Sequence, residues 1–338
     1  MTNRTRYFMT GSAAILGIGL CTGLVAYYGG GFQALVASTA PDELTYVPRG
    51  SAVVAFADVR SIMDSELRKR FKEAVPLPVG EEGQREFYEH TGIDIEHDID
   101  YVVAAAGEQV PGTNFKPSGV VIARGRFDIV KLEGLAREHG AQVEEYKGKR
   151  LLVLEHHRNT TDSGTTSTAS DKGVLAFLEP GLVAIGDIAT VQHAIDAQLS
   201  GQSITSNTEM MDLVRDIERS NNAWAVGRFD LISSQTKLPD QIARQLPPVK
   251  WFAAAGHING GVSAQLRAEA LDEQAAENLR GVVNGVISLA RLQAQNDPKV
   301  SSLVQSLQLS GSGKTVQISF SVPAEIFELM APKVNGVH

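Results

Sequence analysis

The chain has 338 residues, of which 43% are hydrophobic and 21% charged, a balance typical of a folded protein rather than a disordered one. Its formal net charge is −8, so it lacks the basic surface with which nucleic-acid-binding proteins neutralise phosphates, and we expect no nucleic-acid partner. Cys21 is the single cysteine, which excludes intramolecular disulfides and cysteine-based metal sites.

The N-terminal segment is predicted to be a transmembrane anchor. Arg4 and Arg6 precede residues 7–28, an apolar run of about 22 residues that is long enough, as a helix, to cross a hydrocarbon core of about 30 Å. Positive charge before the run and acidic residues after it place the N-terminus in the cytoplasm. We therefore predict a cytoplasmic tip and anchor over residues 1–28, with lipid-bilayer contact through residues 7–28, and a linker over residues 29–44.

Two other interpretations of this segment stay open: a signal peptide cleaved after Ser38-Thr39-Ala40, and a lipoprotein modified at Cys21. The apolar run exceeds the usual signal-peptide core of about 7–15 residues, and Leu20 stands where a lipoprotein signal needs a small residue, so a retained anchor is favoured. Gly19 and Gly23 have the small-xxx-small spacing that supports helix contact in membranes, although glycine is common in such helices anyway.

Apolar strand-like runs alternate with helical periodicities along the rest of the chain. Strands are predicted over residues 51–57, 101–107 and 119–126, hairpins over 142–155 and 173–185, and helices over 59–75, 129–139 and 188–199. A similar order follows, with strands over 223–229, 251–258, 262–268, 307–309 and 316–322 and helices over 231–246, 271–292 and 324–330. Hairpins mixed with helices predict an α+β fold, mainly antiparallel, with helices packed on one sheet face.

Short identities indicate an internal duplication. Gly125-Arg126-Phe127-Asp128 recurs as residues 227–230, and Ala104-Ala105-Ala106-Gly107 recurs as residues 253–256. The acidic residues Asp58, Asp128 and Asp230 each follow an apolar run and precede a predicted helix, where a carboxylate caps the helix N-terminus. We predict repeat halves over residues 45–200 and 201–338, while a smaller strand–Asp–helix repeat also fits.

Few sequence features point to chemistry. Residues 94–100 are rich in acidic side chains, but a calcium loop starting at Asp94 would need Gly and Glu where Ile99 and Ala105 stand, so local capping is expected. Residues 310–315 resemble the end of a phosphate-binding loop, yet a strand rather than a helix is predicted to follow. The polar residues 158–172 predict a mobile loop. We predict no catalytic, cofactor-binding or metal-binding residue, and no cofactor.

The segment Tyr46-Val47-Pro48-Arg49-Gly50-Ser51, followed by an apolar strand ending in Asp58, resembles the start of the exported domain in a loose group of bacterial envelope proteins. Residues 91–94 and 98–100 and the hairpin 174–185 add to the resemblance, which covers residues 44–199. The resemblance implies an N-terminally anchored envelope protein and carries no activity with it.

These observations favour a single-pass protein of the bacterial inner membrane that presents a periplasmic scaffold or protein-interaction module. Its partners would be other envelope proteins or a second copy of itself. An alternative is a module that binds a lipid or other apolar ligand between sheet and helices, with the helix over residues 271–292 as its lid. A hydrolase with dispersed catalytic residues is the third hypothesis.

Overall fold

The computed structural model describes residues 41–74, 88, 93–107, 119–138, 140–162, 165–217, 221–229, 247–294, 301 and 304–324. They fall into two compact units, which we call the middle unit (residues 41–54 and 78–211) and the C-terminal unit (the described parts of residues 55–77 and 212–338). These boundaries differ from the predicted halves 45–200 and 201–338, because the chain leaves the middle unit within its first strand and returns to it after Leu77.

The described elements are antiparallel strands and helices in an α+β arrangement, as the sequence predicts. The strands are β1 (Val53–Ala57), β2 (Ile99–Ala106), β3 (Gly119–Gly125), β4 (Gln142–Tyr146), β5 (Lys149–Asp162), β6 (Thr165–Glu179), β7 (Leu182–Asp187), β8 (Ala223–Arg228), β9 (Val249–Ile258), β10 (Gly261–Ala270), β11 (Gln308–Ser310) and β12 (Thr315–Pro323). The helices are α1 (Val59–Met63), α2 (Glu66–Ala74), α3 (Ile95–Asp98), α4 (Ile129–Glu138), α5 (Ile188–Ser200), α6 (Thr208–Ile217) and α7 (Glu273–Ala294), with 3-10 turns at Asp42–Tyr46 and Ile204–Ser206.

In the middle unit the strand order is β2-β3-β7-β6-β5-β4, and each of these neighbouring pairs is antiparallel. Leu132 of α4 packs with Ala123, Phe177 and Val183 on one face of these strands. The opposite face meets α5, where the side chain of Val191 approaches Gly186 of β7.

In the C-terminal unit the strand order is β11-β12-β10-β9-β8, again antiparallel. Val262 and Ala268 lie on the same face of β10, since residues separated by an even number share a face. Val262 packs with Ile62 of α1, and Ala268 packs under Leu279 of α7.

The expectation of helices on one sheet face is wrong. Arg267, on the face of β10 opposite to Ala268, pairs with Asp216 of α6 at 3.2 Å, and the middle unit has helices on both faces as well. The sequence already indicates helices on both faces of the sheet. Residues 174–178 and 182–184 are uninterrupted apolar runs, which are typical of strands that are buried on both sides.

Two boundary predictions also differ from the structure. Residues 158–162 and 165–172 are paired strands rather than a loop, and the ladder of β5 and β6 extends to Asp162 and Thr165. The threonines of this polar stretch favour extended backbone, and strand pairing does not require apolar side chains. The linker predicted through Leu44 ends earlier, since Asp42–Tyr46 is a 3-10 turn and Leu44 is fully buried.

The predicted anchor, residues 7–28, and the predicted helix over 231–246 lie outside the described residues, as does the predicted helix over 324–330 except for its first residue. Among the residues that are described, from Pro41 onward, no helix combines the length and apolarity that crossing a membrane requires.

Candidate functional site

The repeated sequence Gly125-Arg126-Phe127-Asp128 has a structural role at each position. A side chain at Gly125 would overlap the carbonyl oxygen of Asp98, so only glycine fits there. The Arg126 guanidinium donates to the carbonyl of His97, and Phe127 packs into the middle-unit core. Asp128 precedes α4 and accepts the Lys131 amide at 3.0 Å, which caps the helix.

The second copy of this sequence makes different contacts. Arg228 lies over the ring of Trp251, with its guanidinium carbon 5.0 Å from the ring centroid, and Phe229 packs against the C-terminal-unit core. Asp230 lies outside the described residues, as do the predicted membrane-contact residues Gly19 and Gly23.

Asp58 caps α1, because its carboxylate accepts the Ser61 amide at 2.8 Å. Two further caps were not predicted: Asp187 accepts the Thr190 amide ahead of α5 at 3.0 Å, and Asp272 accepts the Ala275 amide ahead of α7 at 2.7 Å. An aspartate between a strand and a helix is thus a recurrent device of the fold and is not confined to the repeated sequence.

The acidic stretch at residues 94–100 contains local caps. Asp94 accepts the amides of Glu96 and His97 and contacts the His97 ring at 2.9 Å. Across the described ranges no three His, Cys, Asp or Glu side chains are grouped so as to hold a metal ion. Residues 310–315 join β11 to β12 as a hairpin turn, with Gly311 and Gly313 at positive φ.

A buried ion cluster holds the first described element of the chain. Glu43 of the 3-10 turn has a side chain only 1% exposed. Its Oε1 accepts from the Tyr101 hydroxyl at 3.0 Å and from Arg124 Nε and Nη2 at 2.8 and 2.5 Å. The other carboxylate oxygen, Oε2, is equally buried and has no hydrogen-bond partner in the part of the chain that is described.

Two residues complete the Glu43 cluster. The Tyr46 hydroxyl donates to Glu179 Oε1 at 2.9 Å, and Glu179 lies 3.6 Å from Arg124 Nη2. The residue that follows the 3-10 turn is held by a backbone hydrogen bond, since the Ile204 amide donates to the Val47 carbonyl at 2.7 Å. Side chains from β2, β3 and the end of β6 therefore fix residues 43–47 to the middle unit.

The electrostatics of the cluster indicate a structural role. Burial raises the pKa of Tyr46, and the hydrogen bond to Glu179 raises it further. Burial and then the charge of Glu43 raise the pKa of Tyr101. Burial alone would lower the pKa of Arg124, but its hydrogen bonds and charge interaction with Glu43 outweigh this effect and the pKa is raised. At neutral pH both tyrosines therefore keep their protons and Arg124 keeps its charge.

The second candidate is the outer face of α7. Val282, Val286, Leu289 and Leu292 follow helical spacing and are 40%, 61%, 61% and 62% exposed. Gly281 and Gly285 lie on the same side, and a methyl group added at either would meet no atom within 4 Å. Residues 281–290 carry no charged side chain. Contiguous apolar surface of this kind marks interaction sites on otherwise polar proteins.

The inner face of α7 is packed. Ala275, Ala276, Leu279 and Ile287 are buried, and the first three belong to a core with Ala270 and Val316 of the sheet. The helix is therefore apolar on two sides. Of these, only the inner side packs against other described residues. The sequence shows the breadth of this apolar stripe but does not show which part is covered.

No protein-family model matches the chain, and no curated protein matches it in sequence. Among solved structures it is similar to the crystal structure of TP0453 in crystal form I, with a TM-score of 0.41 and 9% identity over 86% of this chain and 97% of that chain. A TM-score below 0.5 does not establish a shared fold.

Proposed function

We propose that the protein is a membrane-anchored scaffold or protein-interaction module of the bacterial envelope, with its folded part outside the cytoplasm, and that it is not an enzyme. The exposed apolar face of α7 carries this proposal. Val286 and Leu289 are each 61% exposed on a helix whose inner side already packs on the sheet, so the outer face is available to a partner.

Given the proposed anchor, the Glu43 cluster determines how far from the membrane the folded part lies. Glu43 is only 15 residues beyond Tyr28, the last residue of the predicted anchor. A chain that leaves a membrane helix and is fixed to the sheet so soon afterwards keeps its domain near the bilayer surface. The hydrogen bonds from Tyr101 and Arg124 make residue 43 the point at which a pull on the anchor would reach the folded middle unit.

We also infer that the fold arose by duplication. The order β2-β3-β7-β6 in the middle unit matches β9-β10-β12-β11 in the C-terminal unit, with β4 and β5 as an addition to the former. The repeated Ala-Ala-Ala-Gly sequences end β2 and lie in β9, which are equivalent strands in this match. Asp58 and Asp230 follow β1 and β8, whereas Asp128 follows β3 and belongs to a different position.

An enclosed apolar ligand is less well supported than a surface contact. Leu279 and Val283 of α7 pack with Ala268, Ala270 and Val316, so side chains occupy the space between this part of the helix and the sheet. The unused apolar surface is on the outside of α7, where it would meet a partner and could not enclose a small ligand.

Native membranes that contain the full chain provide the test. We expect the protein to migrate on a native gel as a complex larger than the monomer, and we expect Val286→Asp to reduce it to the monomer. Val130→Asp is the matched control, because Val130 is an 83% exposed valine on α4 of the middle unit. A wild-type protein that migrates as the monomer, or equal effects of the two substitutions, would contradict the proposal.

A further inference from the structure

We propose that residues 42–47, which we call the latch, are an intramolecular peptide ligand. The latch occupies a groove of the middle unit that recognises a peptide with a glutamate followed three residues later by a tyrosine, and it can leave this groove while the sheet stays folded. The inference goes beyond the proposed function and depends on neither the anchor nor the outer face of α7, so the two proposals can fail separately.

The backbone of the latch is held as that of a bound peptide is. It forms hydrogen bonds of its own, from the Leu44 amide to the Pro41 carbonyl at 3.0 Å and from the Val47 amide to the Leu44 carbonyl at 3.1 Å. The latch is a 3-10 turn and does not belong to a strand of the sheet. The Ile204 amide, which donates to the Val47 carbonyl, lies in another 3-10 turn. Release of the latch therefore breaks no strand pairing within the sheet.

Side chains attach the latch to the groove. Asp42 and Thr45 are exposed, whereas the other four side chains of the latch are buried: Glu43, Leu44, Tyr46 and Val47. Anchors spaced three and four residues apart are typical of a short helical peptide that lies in a groove. The latch thus has one face that reads the groove and one face in solvent.

Two polar contacts determine which peptide the groove accepts. Arg124 and Tyr101 both donate to Glu43 Oε1, which selects a carboxylate at this position. Glu179 accepts from the Tyr46 hydroxyl at 2.9 Å, which selects a phenol three residues later. Together with the buried leucine and valine, these contacts define an acidic–aromatic ligand with the pattern Glu-Leu-x-Tyr-Val.

The charges in the groove favour release of the latch. Glu43 and Glu179 both pair with the guanidinium of Arg124, so two carboxylates share this cation. Glu43 Oε2 is buried and accepts no hydrogen bond from the described residues, and withdrawing such an oxygen from water opposes docking. Release returns the oxygen to water. Segments whose contacts are incomplete in this way open locally while the rest of a protein stays folded.

A capped peptide of residues 41–48 tests the groove directly. We expect a fluorescently labelled copy to bind the full-length Glu43→Leu variant in mild detergent, because this substitution weakens the docked latch and keeps the side chains of the groove. The wild-type chain should bind the peptide at least about ten-fold more weakly, because its own tethered latch competes at a high effective concentration. Fluorescence anisotropy measures both affinities.

Matched controls test the chemistry of recognition. The same peptide with leucine in place of its glutamate should bind the Glu43→Leu variant at least about ten-fold more weakly, since it lacks the charged acceptor. Adding Arg124→Leu to the protein should abolish the preference between the two peptides. Failure of the first peptide to bind Glu43→Leu, or equal affinities of the variant and the wild-type chain, would overturn the inference.

Native-state hydrogen exchange of the wild-type chain tests release without a substitution. We expect the protection factors of residues 44–47 to be at least about ten-fold lower than those of residues 120–124 in β3, because the latch opens without the sheet. Equal protection would show that the latch opens only when the sheet unfolds, and would overturn the inference. This measurement decides the matter if Glu43→Leu fails to fold.

Discussion

The Glu43 cluster makes a quantitative prediction for Arg124→Leu. This substitution removes the cation and leaves Glu43, with a side chain 1% exposed, as an unpaired buried carboxylate. Breaking a buried ion pair from one side costs about 3–5 kcal/mol. Because the Arg124 side chain is 27% exposed and water reaches part of the cluster, we expect the lower end, about 3 kcal/mol of lost stability in the middle unit.

Glu43→Leu should cost a similar amount, since it removes the carboxylate oxygen to which the Tyr101 hydroxyl and the Arg124 guanidinium both donate. The double variant Glu43→Leu with Arg124→Leu leaves no unpaired charge. Its loss should therefore be smaller than the sum of the two single losses by about 2 kcal/mol, as is typical for residues in one network.

Native-state hydrogen exchange measured by mass spectrometry is the suitable assay, because it assigns an opening free energy to each segment. Peptides that cover residues 43–47 and 120–124 report the middle unit. Both tryptophans, Trp224 and Trp251, lie in the C-terminal unit, so their fluorescence verifies that this unit is still folded. Additive losses, or a change below about 1 kcal/mol in either single variant, would refute the assignment of a buried ion pair that holds the 3-10 turn.

Three further predictions test the described structure. Gly125→Ala places a methyl group against the carbonyl oxygen of Asp98 and should destabilise the middle unit by about 2 kcal/mol or more. Gly134→Ala, on an open face of α4, should instead stabilise it by about 0.5–1 kcal/mol. Thermal unfolding measures both variants, and equal effects would contradict the close approach of Gly125 to Asp98. Asp58→Ala should cost about 1 kcal/mol through loss of the α1 cap, as measured by urea unfolding, and no loss would show that the cap is unimportant. Tyr46 has a raised pKa, so the folded state keeps a proton that the unfolded state releases above about pH 10, and the free energy of unfolding should fall as the pH rises beyond that value. Tyr46→Phe should make this decline shallower by at most about 1.4 kcal/mol per pH unit. An unchanged slope would contradict the raised pKa.

Local signals in the sequence predict much of the secondary structure. Lys147 and Gly148 both have positive φ in the turn between β4 and β5, the geometry that a two-residue hairpin requires and that the sequence Lys-Gly-Lys suggests. Asp58 and Asp128 cap helices because a side chain and the amides it accepts are only three residues apart. Interactions of such short range can be inferred without knowledge of the tertiary fold.

The Glu43 cluster could not be predicted in this way. Glu43 is 58 residues from Tyr101 and 81 residues from Arg124, and Tyr46 is 133 residues from Glu179. No periodicity connects such positions, and the turn at residues 42–46 follows a segment that reads as a linker. The prediction of helices on only one sheet face failed for a different reason. The uninterrupted apolar runs of β6 and β7 indicated burial on both faces, but the prediction did not use them.

Protease treatment of spheroplasts tests the anchored, extracytoplasmic arrangement most directly. With the full chain in its native membrane, we predict that protease added outside digests the residues from Asp42 onward without lysis. We also predict that the undigested protein remains in the membrane fraction after an alkaline carbonate wash. A domain that stays protected until the membrane is lysed, or a protein released by the wash, would contradict the account.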